Sequence, residues 1–139
     1  MAQQVASSEQ TGQIDEHDAI ARVLQLYMDG TARGEAAKLK EAFHPDSRMF
    51  GSMGGKRIDV PIQTLIDMTA QGPADTKGKY RGRIISVTQV GDAAMAAVGE
   101  DGMWGSVSFV NFFNLAKIDG RWVIVNKTFA HTGGEPPSV

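Results

Sequence analysis

Residues 107–131, VSFVNFFNLAKIDGRWVIVNKTFAH, decide the fold. Val107–Ile118 and Arg121–His131 are long runs rich in β-branched and aromatic residues, and Asp119-Gly120 stands between them. That dipeptide strongly favours a two-residue hairpin turn, because both central positions of such a turn need positive φ. A lone hairpin is barely stable in water, so the rest of the chain has to supply what these strands pack on. Uninterrupted pairing from the turn sets Leu115 opposite Ile124, Phe113 opposite Asn126 and Asn111 opposite Thr128. One face then carries Val107, Phe109, Asn111, Phe113, Leu115, Trp122, Ile124, Asn126 and Thr128. The other carries Ser108, Val110, Phe112, Asn114, Val123, Val125, Lys127, Phe129 and His131. Neither face is polar enough for a solvated sheet surface.

Working outward, Tyr80–Val90 and Ala93–Glu100 flank Gly91-Asp92 and read as a second hairpin, with Arg83 opposite Glu100. Before these strands the periodicity is helical. Ile20, Val23, Leu24, Tyr27 and Thr31 recur three and four apart on one face, with Asp15 as a cap and Gly34 as a stop. A short helix follows from Glu35 with Ala36, Leu39 and Phe43 on its apolar side, and His44-Pro45-Asp46 ends it, because the residue before proline avoids helical geometry. Arg48–Ser52 reads as a strand, Gly54-Gly55 turns it, and Arg57–Asp59 returns beside it. Pro61 opens a third helix with Ile62, Leu65, Ile66 and Thr69 as its stripe, closed by Gly72-Pro73. Helices ahead of a mostly antiparallel sheet make an α+β domain: a strongly curved sheet wrapped around three N-terminal helices. The domain is expected over residues 15–132, between a flexible N-terminal tail, 1–14, and a flexible C-terminal tail, 133–139.

Composition narrows the function classes. The 139 residues carry a formal net charge of −2 and no Lys/Arg stripe, which argues against a nucleic-acid partner. No window approaches the roughly 18 consecutive apolar residues of a membrane span. Residues 1–13 lack the basic start and apolar core of a secretory signal, so a cytoplasmic location is expected. With no cysteine there is no disulfide, thiol nucleophile or thiolate metal site. His17, His44 and His131 have no ligand spacing, so no metal is expected, and the sequence asks for no cofactor.

The faces of the last hairpin set the remaining expectations. The apolar face bearing Val110, Phe112, Val123, Val125 and Phe129 wants a partner, and a second copy of the chain is the simplest one; a loop or the N-terminal tail is the alternative cover. On the helix-facing side Asn111, Asn126 and Thr128 stand among Phe and Ile. Buried amides need partners, so these three either bond one another and water or address a ligand in a pocket. His44 and Asp46, two apart, are either a general-base pair or a helix-ending turn. Tyr27 is either a core tyrosine or a hydrogen-bond donor to a ligand.

Tyr27 seven residues before Gly34-Glu35, then Phe43-His44-Pro45-Asp46 running into a strand, resembles the nuclear transport factor 2-like superfamily. The ending Lys117-Ile118-Asp119-Gly120-Arg121-Trp122-Val123-Ile124-Val125-Asn126-Lys127-Thr128-Phe129 is similar to its Putative lumazine-binding branch, and the likeness runs from Asp15 to His131. The resemblance implies a conical α+β half-barrel around a cavity, commonly dimeric through the outer sheet face. It leaves activity open, since isomerases, dehydratases, cyclases and non-catalytic carriers share the fold. In ketosteroid isomerase relatives a tyrosine matching Tyr27 donates to a developing oxyanion, but the matching base falls near Gly51 and the matching second acid near Asn111. The chain therefore looks unlike a steroid isomerase.

The expected function is that of a small-molecule-binding protein whose enclosed, mostly apolar pocket is lined by Tyr27, His44, Met49, Trp104, Asn111, Asn126 and Thr128. A small apolar or aromatic ligand suits it. The alternatives are a lyase or isomerase, dehydratase- or cyclase-like, with His44 as base beside Asp46 and Tyr27 as oxyanion donor, and an interaction module working through the outer sheet face.

Overall fold

The structure, a computed structural model, describes the backbone of residues 2–136 and the side chains of residues 12–136. Among the described residues the chain forms α1 (Ala2–Arg33), α2 (Ala36–Ala42), β1 (Phe43–Met53), β2 (Lys56–Pro61), α3 (Ile62–Gln71), β3 (Arg81–Val90), β4 (Ala93–Met103), β5 (Val107–Ile118) and β6 (Arg121–Gly133). The strands make one sheet in the order β2-β1-β6-β5-β4-β3, antiparallel throughout except where β1 runs parallel to β6. The curved, unclosed sheet holds the three helices on its concave side, as the α+β reading expects.

Helix α1 begins at Ala2, so Asp15 lies inside it and does not cap it. The residues before Asp15 hold no proline and include two Ala, four Gln and one Glu, which allows the helix to run through them. Of the two expected tails, Met1 and 137–139 lie outside the described residues, and β6 continues to Gly133. The predicted stripe of α1 is buried: Ile20 and Leu24 are fully inaccessible, and Val23, Tyr27 and Thr31 nearly so. Gly34 ends the helix at φ +72, where a Cβ would also meet the Gly72-Pro73 backbone at 2.9 Å. Phe43 opens β1 facing inward, its ring edge-on to Tyr27 at 6.0 Å and to Phe113 at 6.3 Å. Glu16 latches α1 to the last hairpin, accepting from Lys117 Nζ at 2.7 Å and Trp122 Nε1 at 3.0 Å.

Both hairpins turn where the sequence places them, with Ile118 opposite Arg121 and Val90 opposite Ala93. Both then depart from uninterrupted pairing. Leu115 faces Ile124, but Asn114 faces Asn126, leaving Val125 as an extra residue in β6. Likewise Ile84 faces Val98 and Ser86 faces Ala97, leaving Ile85 extra in β3. A bulge of one residue reverses the parity of everything beyond it. Arg83 therefore faces Gly99, not Glu100. In β6, Lys127 and Phe129 turn to the concave side, while Asn126 and Thr128 go to the convex side, the reverse of the expected faces.

Of the five residues expected to form an outer interface, Phe112 is 54% exposed and Val110 half-buried beside it on the convex face. Val125 sits in the bulge, Val123 is buried within the chain, and Phe129 faces inward. Across the convex face one row runs Phe50, Thr128, Phe112, Ala97.

Candidate functional site

The concave side encloses a cavity of about 740 Å³ between α1, α3 and strands β1, β2, β4, β5 and β6. Its wall is mainly apolar, with Met49, Leu65, Met68, Met103, Phe109 and Phe129 prominent. A second, more open hollow of about 540 Å³ lies by the β1–β2 turn, against Ser52, Arg57 and His131.

One polar cluster is built into the wall of the larger cavity. Strand β4 alternates Ala94, Ala96, Val98 and Glu100 toward the helices, so Glu100 ends an apolar stripe and is 1% exposed. Three donors converge on its carboxylate. Tyr27 Oη donates to Oε1 at 2.7 Å, Asn111 Nδ2 to the same oxygen at 2.7 Å, and Tyr80 Oη to Oε2 at 2.5 Å. Asn111 Nδ2 also reaches the Val98 carbonyl at 3.3 Å, while its Oδ1 is buried with no hydrogen-bond partner among the described residues. Gly82 makes room for this arrangement, since a Cβ there would lie 2.8 Å from the Tyr80 hydroxyl. Burial, reinforced by the Glu100 charge, raises the pKa of both tyrosines well above the ordinary value, so they remain protonated donors.

The second element is Lys127, brought inward by the Val125 bulge and 5% exposed. Its Nζ lies 3.5 Å from Met49 Sδ, 4.8 Å from the centre of the Phe129 ring and 5.5 Å from that of Tyr27. Among the described residues no carboxylate lies within salt-bridge distance of it. Burial pushes its pKa down to about 8, against partial support from the Glu100 charge.

At the position where the family resemblance puts a catalytic base, Gly51 leaves no vacancy. A Cβ there would stand 2.7 Å from Phe129 Cδ1 and 2.6 Å from the Phe129 carbonyl oxygen. Trp104, at the cavity wall, holds φ +53, a left-handed conformation a bulky residue adopts only under constraint. Its backbone N–H donates to the Ala74 carbonyl at 2.7 Å, and its ring meets Phe109 edge-on at 6.4 Å.

Of the residues expected to line a pocket, Tyr27, Met49, Trp104 and Asn111 meet at this cavity. Asn126 and Thr128 do not, because the bulge turns them to the convex face. His44 and Asp46 do not either: Phe43 takes the inward place at the start of β1, and His44 Nδ1 accepts the Asp46 backbone N–H at 3.0 Å beside a 92% exposed Asp46 carboxylate. The pair lies at the start of β1, joined by this local hydrogen bond, and neither residue lines the cavity. Glu100, Tyr80 and Lys127 were not legible as site residues. The one available signal was the β4 alternation, which groups Glu100 with Ala94, Ala96 and Val98. Among the described residues no three His, Cys, Asp or Glu side chains converge to hold a metal, and no helix is long and apolar enough to cross a membrane.

Comparison with known proteins agrees with this architecture. The profile of the family described as Putative lumazine-binding matches residues 15–130. Aldolase FrzH of Cladobotryum sp is 29% identical over 129 residues, covering 93% of this chain and 96% of that protein. An NTF2-like protein of unknown function from Methylobacillus flagellatus KT is 35% identical and superposes with a TM-score of 0.78, over 86% of this chain and 94% of its own. Another, from Shewanella baltica OS155, is 29% identical with a TM-score of 0.79, over 88% and 98%. On sequence and fold together, the chain belongs to the Putative lumazine-binding family of NTF2-like proteins.

Proposed function

We propose that this protein binds a small, mainly apolar carbonyl compound in the 740 Å³ cavity and acts on it by moving protons, as a lyase or isomerase. The observation that carries this reading is Glu100, a buried carboxylate held by three donors in the wall of an otherwise apolar pocket. Structural carboxylates are seldom fully buried, and clusters of this kind in a cleft mark functional sites. The three donors fix the orientation of the carboxylate. A carboxylate has about four acceptor positions, so one stays free to take a proton from carbon. The likeness to an aldolase supports a carbonyl substrate, because aldol chemistry forms or breaks a bond at the carbon next to a carbonyl.

The test is α-proton exchange. Cyclohexanone and 4-phenyl-2-butanone are incubated with the protein in D₂O and followed by proton NMR. Exchange faster than in buffer, lost in Glu100→Gln, is the expected result. Binding of these ketones by thermal shift with no exchange would overturn it in favour of a binding protein without turnover. That second reading draws on Gly51, where Phe129 occupies the place of the family base.

A homodimer through the convex face is part of the same reading. It is supported by exposed Phe112, Met95 and Ile85 on that side of the sheet.

A further inference from the structure

The geometry points to Lys127 as an amine that forms a covalent imine with a ketone or aldehyde held in the cavity. This inference deepens the carbonyl reading above and rests on it for the class of ligand. Lys127, two residues past the Val125 bulge, reaches into a pocket of thioether and aromatic groups, with Met49 Sδ at 3.5 Å and the Phe129 ring at 4.8 Å. None of these satisfies an ammonium as a carboxylate or water would. A buried lysine kept only for structure is normally paired. Instead, Glu100 stands in the same cavity, oriented by Tyr27, Tyr80 and Asn111, and makes no ion pair with Lys127.

The depressed basicity fits the role. With a pKa of about 8, roughly a tenth of the amine is unprotonated at neutral pH, against less than about one part in a thousand for an ordinary lysine. The titratable and charged groups facing this pocket are Glu100 from β4, Tyr27 from α1, and Lys56 and Arg57 from β2.

The reaction is balanced within the pair. The Nζ lone pair attacks the carbonyl carbon, and the carbonyl oxygen takes up a proton to give a carbinolamine. The carbon–oxygen bond then breaks, and the oxygen leaves as water carrying both protons that the amine nitrogen gave up, one on forming the carbinolamine and one on its collapse. A C=N bond remains, and no oxidant or reductant is needed. Asn111 Oδ1, buried and without a partner among the described residues, offers an acceptor for a hydroxyl on the same ligand.

The test uses benzoylacetone, a 1,3-diketone whose imine rearranges to a conjugated enaminone stable without reduction. Wild-type protein is expected to gain one diketone less one water by intact mass, with a new near-ultraviolet band, and peptide mapping is expected to put the adduct on Lys127. Lys127→Met and Lys127→Arg, checked for folding by circular dichroism, should lose the adduct. Mapping on wild type stands even where a variant fails to fold. Absence of an adduct, or its scatter over surface lysines, overturns the proposal. Ketone exchange that persists in Lys127→Met without an adduct leaves the proton-transfer reading standing and removes the imine. An adduct on Lys127 with no exchange for any ketone does the reverse.

Discussion

The Phe129 ring occupies the space that a side chain on Gly51 would need: a Cβ built on Gly51 lies 2.7 Å from two atoms of that ring and 2.6 Å from the Phe129 carbonyl oxygen. Gly51 and Phe129 are register partners across β1 and β6. The missing base of the isomerase pattern is thus a filled position, and the proton-moving group has to come from elsewhere in the cavity.

Gly51→Ala is therefore expected to destabilise the protein by about 1–3 kcal/mol, the usual result of forcing a methyl into a packed core. Chemical denaturation compared with wild type measures it. Restoring an acid there, as Gly51→Asp, should abolish folding instead of creating a base.

Tyr27→Phe removes one of the three donors to Glu100 and should lower stability by about 1.5–3 kcal/mol, the range for a hydrogen bond to a charged group. Tyr80→Phe, at a half-buried hydroxyl, should cost less. Thermal unfolding of both variants checks the order. If proton transfer depends on this network, ketone exchange should fall in both.

Lys127 should make stability rise with pH on the alkaline side. Its folded pKa is about 8 and its ordinary value 10.5, so between these limits the unfolded chain binds more protons, and the slope of unfolding free energy with pH is positive. The benefit is fully present above pH 10.5 and is lost as pH falls through 8, a difference on the order of 3 kcal/mol. Lys127→Met is expected to be more stable than wild type at pH 7, with the gap closing toward pH 10. Urea unfolding across that range measures it, and a gap that does not change with pH would show that Lys127 is not held in a low-polarity site.

Phe112, at 54% exposure in the middle of the convex row, is the residue on which a dimer should depend. Wild-type protein is expected to sediment as a dimer and Phe112→Lys as a monomer with an unchanged circular dichroism spectrum. A monomeric wild type would remove the convex face as a self-association surface.

The legible part of the site is the part that local pattern controls. Tyr27 falls on the apolar stripe of α1, and Asn111 on the inward parity of β5 counted from Asp119-Gly120; both reach the cavity. Met49 and Trp104 reach it as well. Asn126 and Thr128 missed it by a single residue of register, and Lys127 took the inward place that uninterrupted pairing denied it. Uninterrupted pairing sets Glu100 opposite Arg83; the bulge at Ile85 sets it opposite Gly82 instead.

From the sequence alone came the two hairpin turns, the strand ends beside them, the buried helix stripes and the α+β class, because each follows from residue-level φ preference or from a short hydrophobic period. The tertiary structure alone decided where the sheet bends. A sheet wrapped around three helices is too curved for straight ladders, and it relieves that at bulges whose positions depend on packing between residues far apart in the chain. No local preference of Val125 or Ile85 announces this. Those two insertions set which side chains of β3 and β6 turn inward, and the chemistry at the cavity wall, Glu100 under three donors near a Lys127 with no carboxylate partner among the described residues, belongs to the fold and not to any motif.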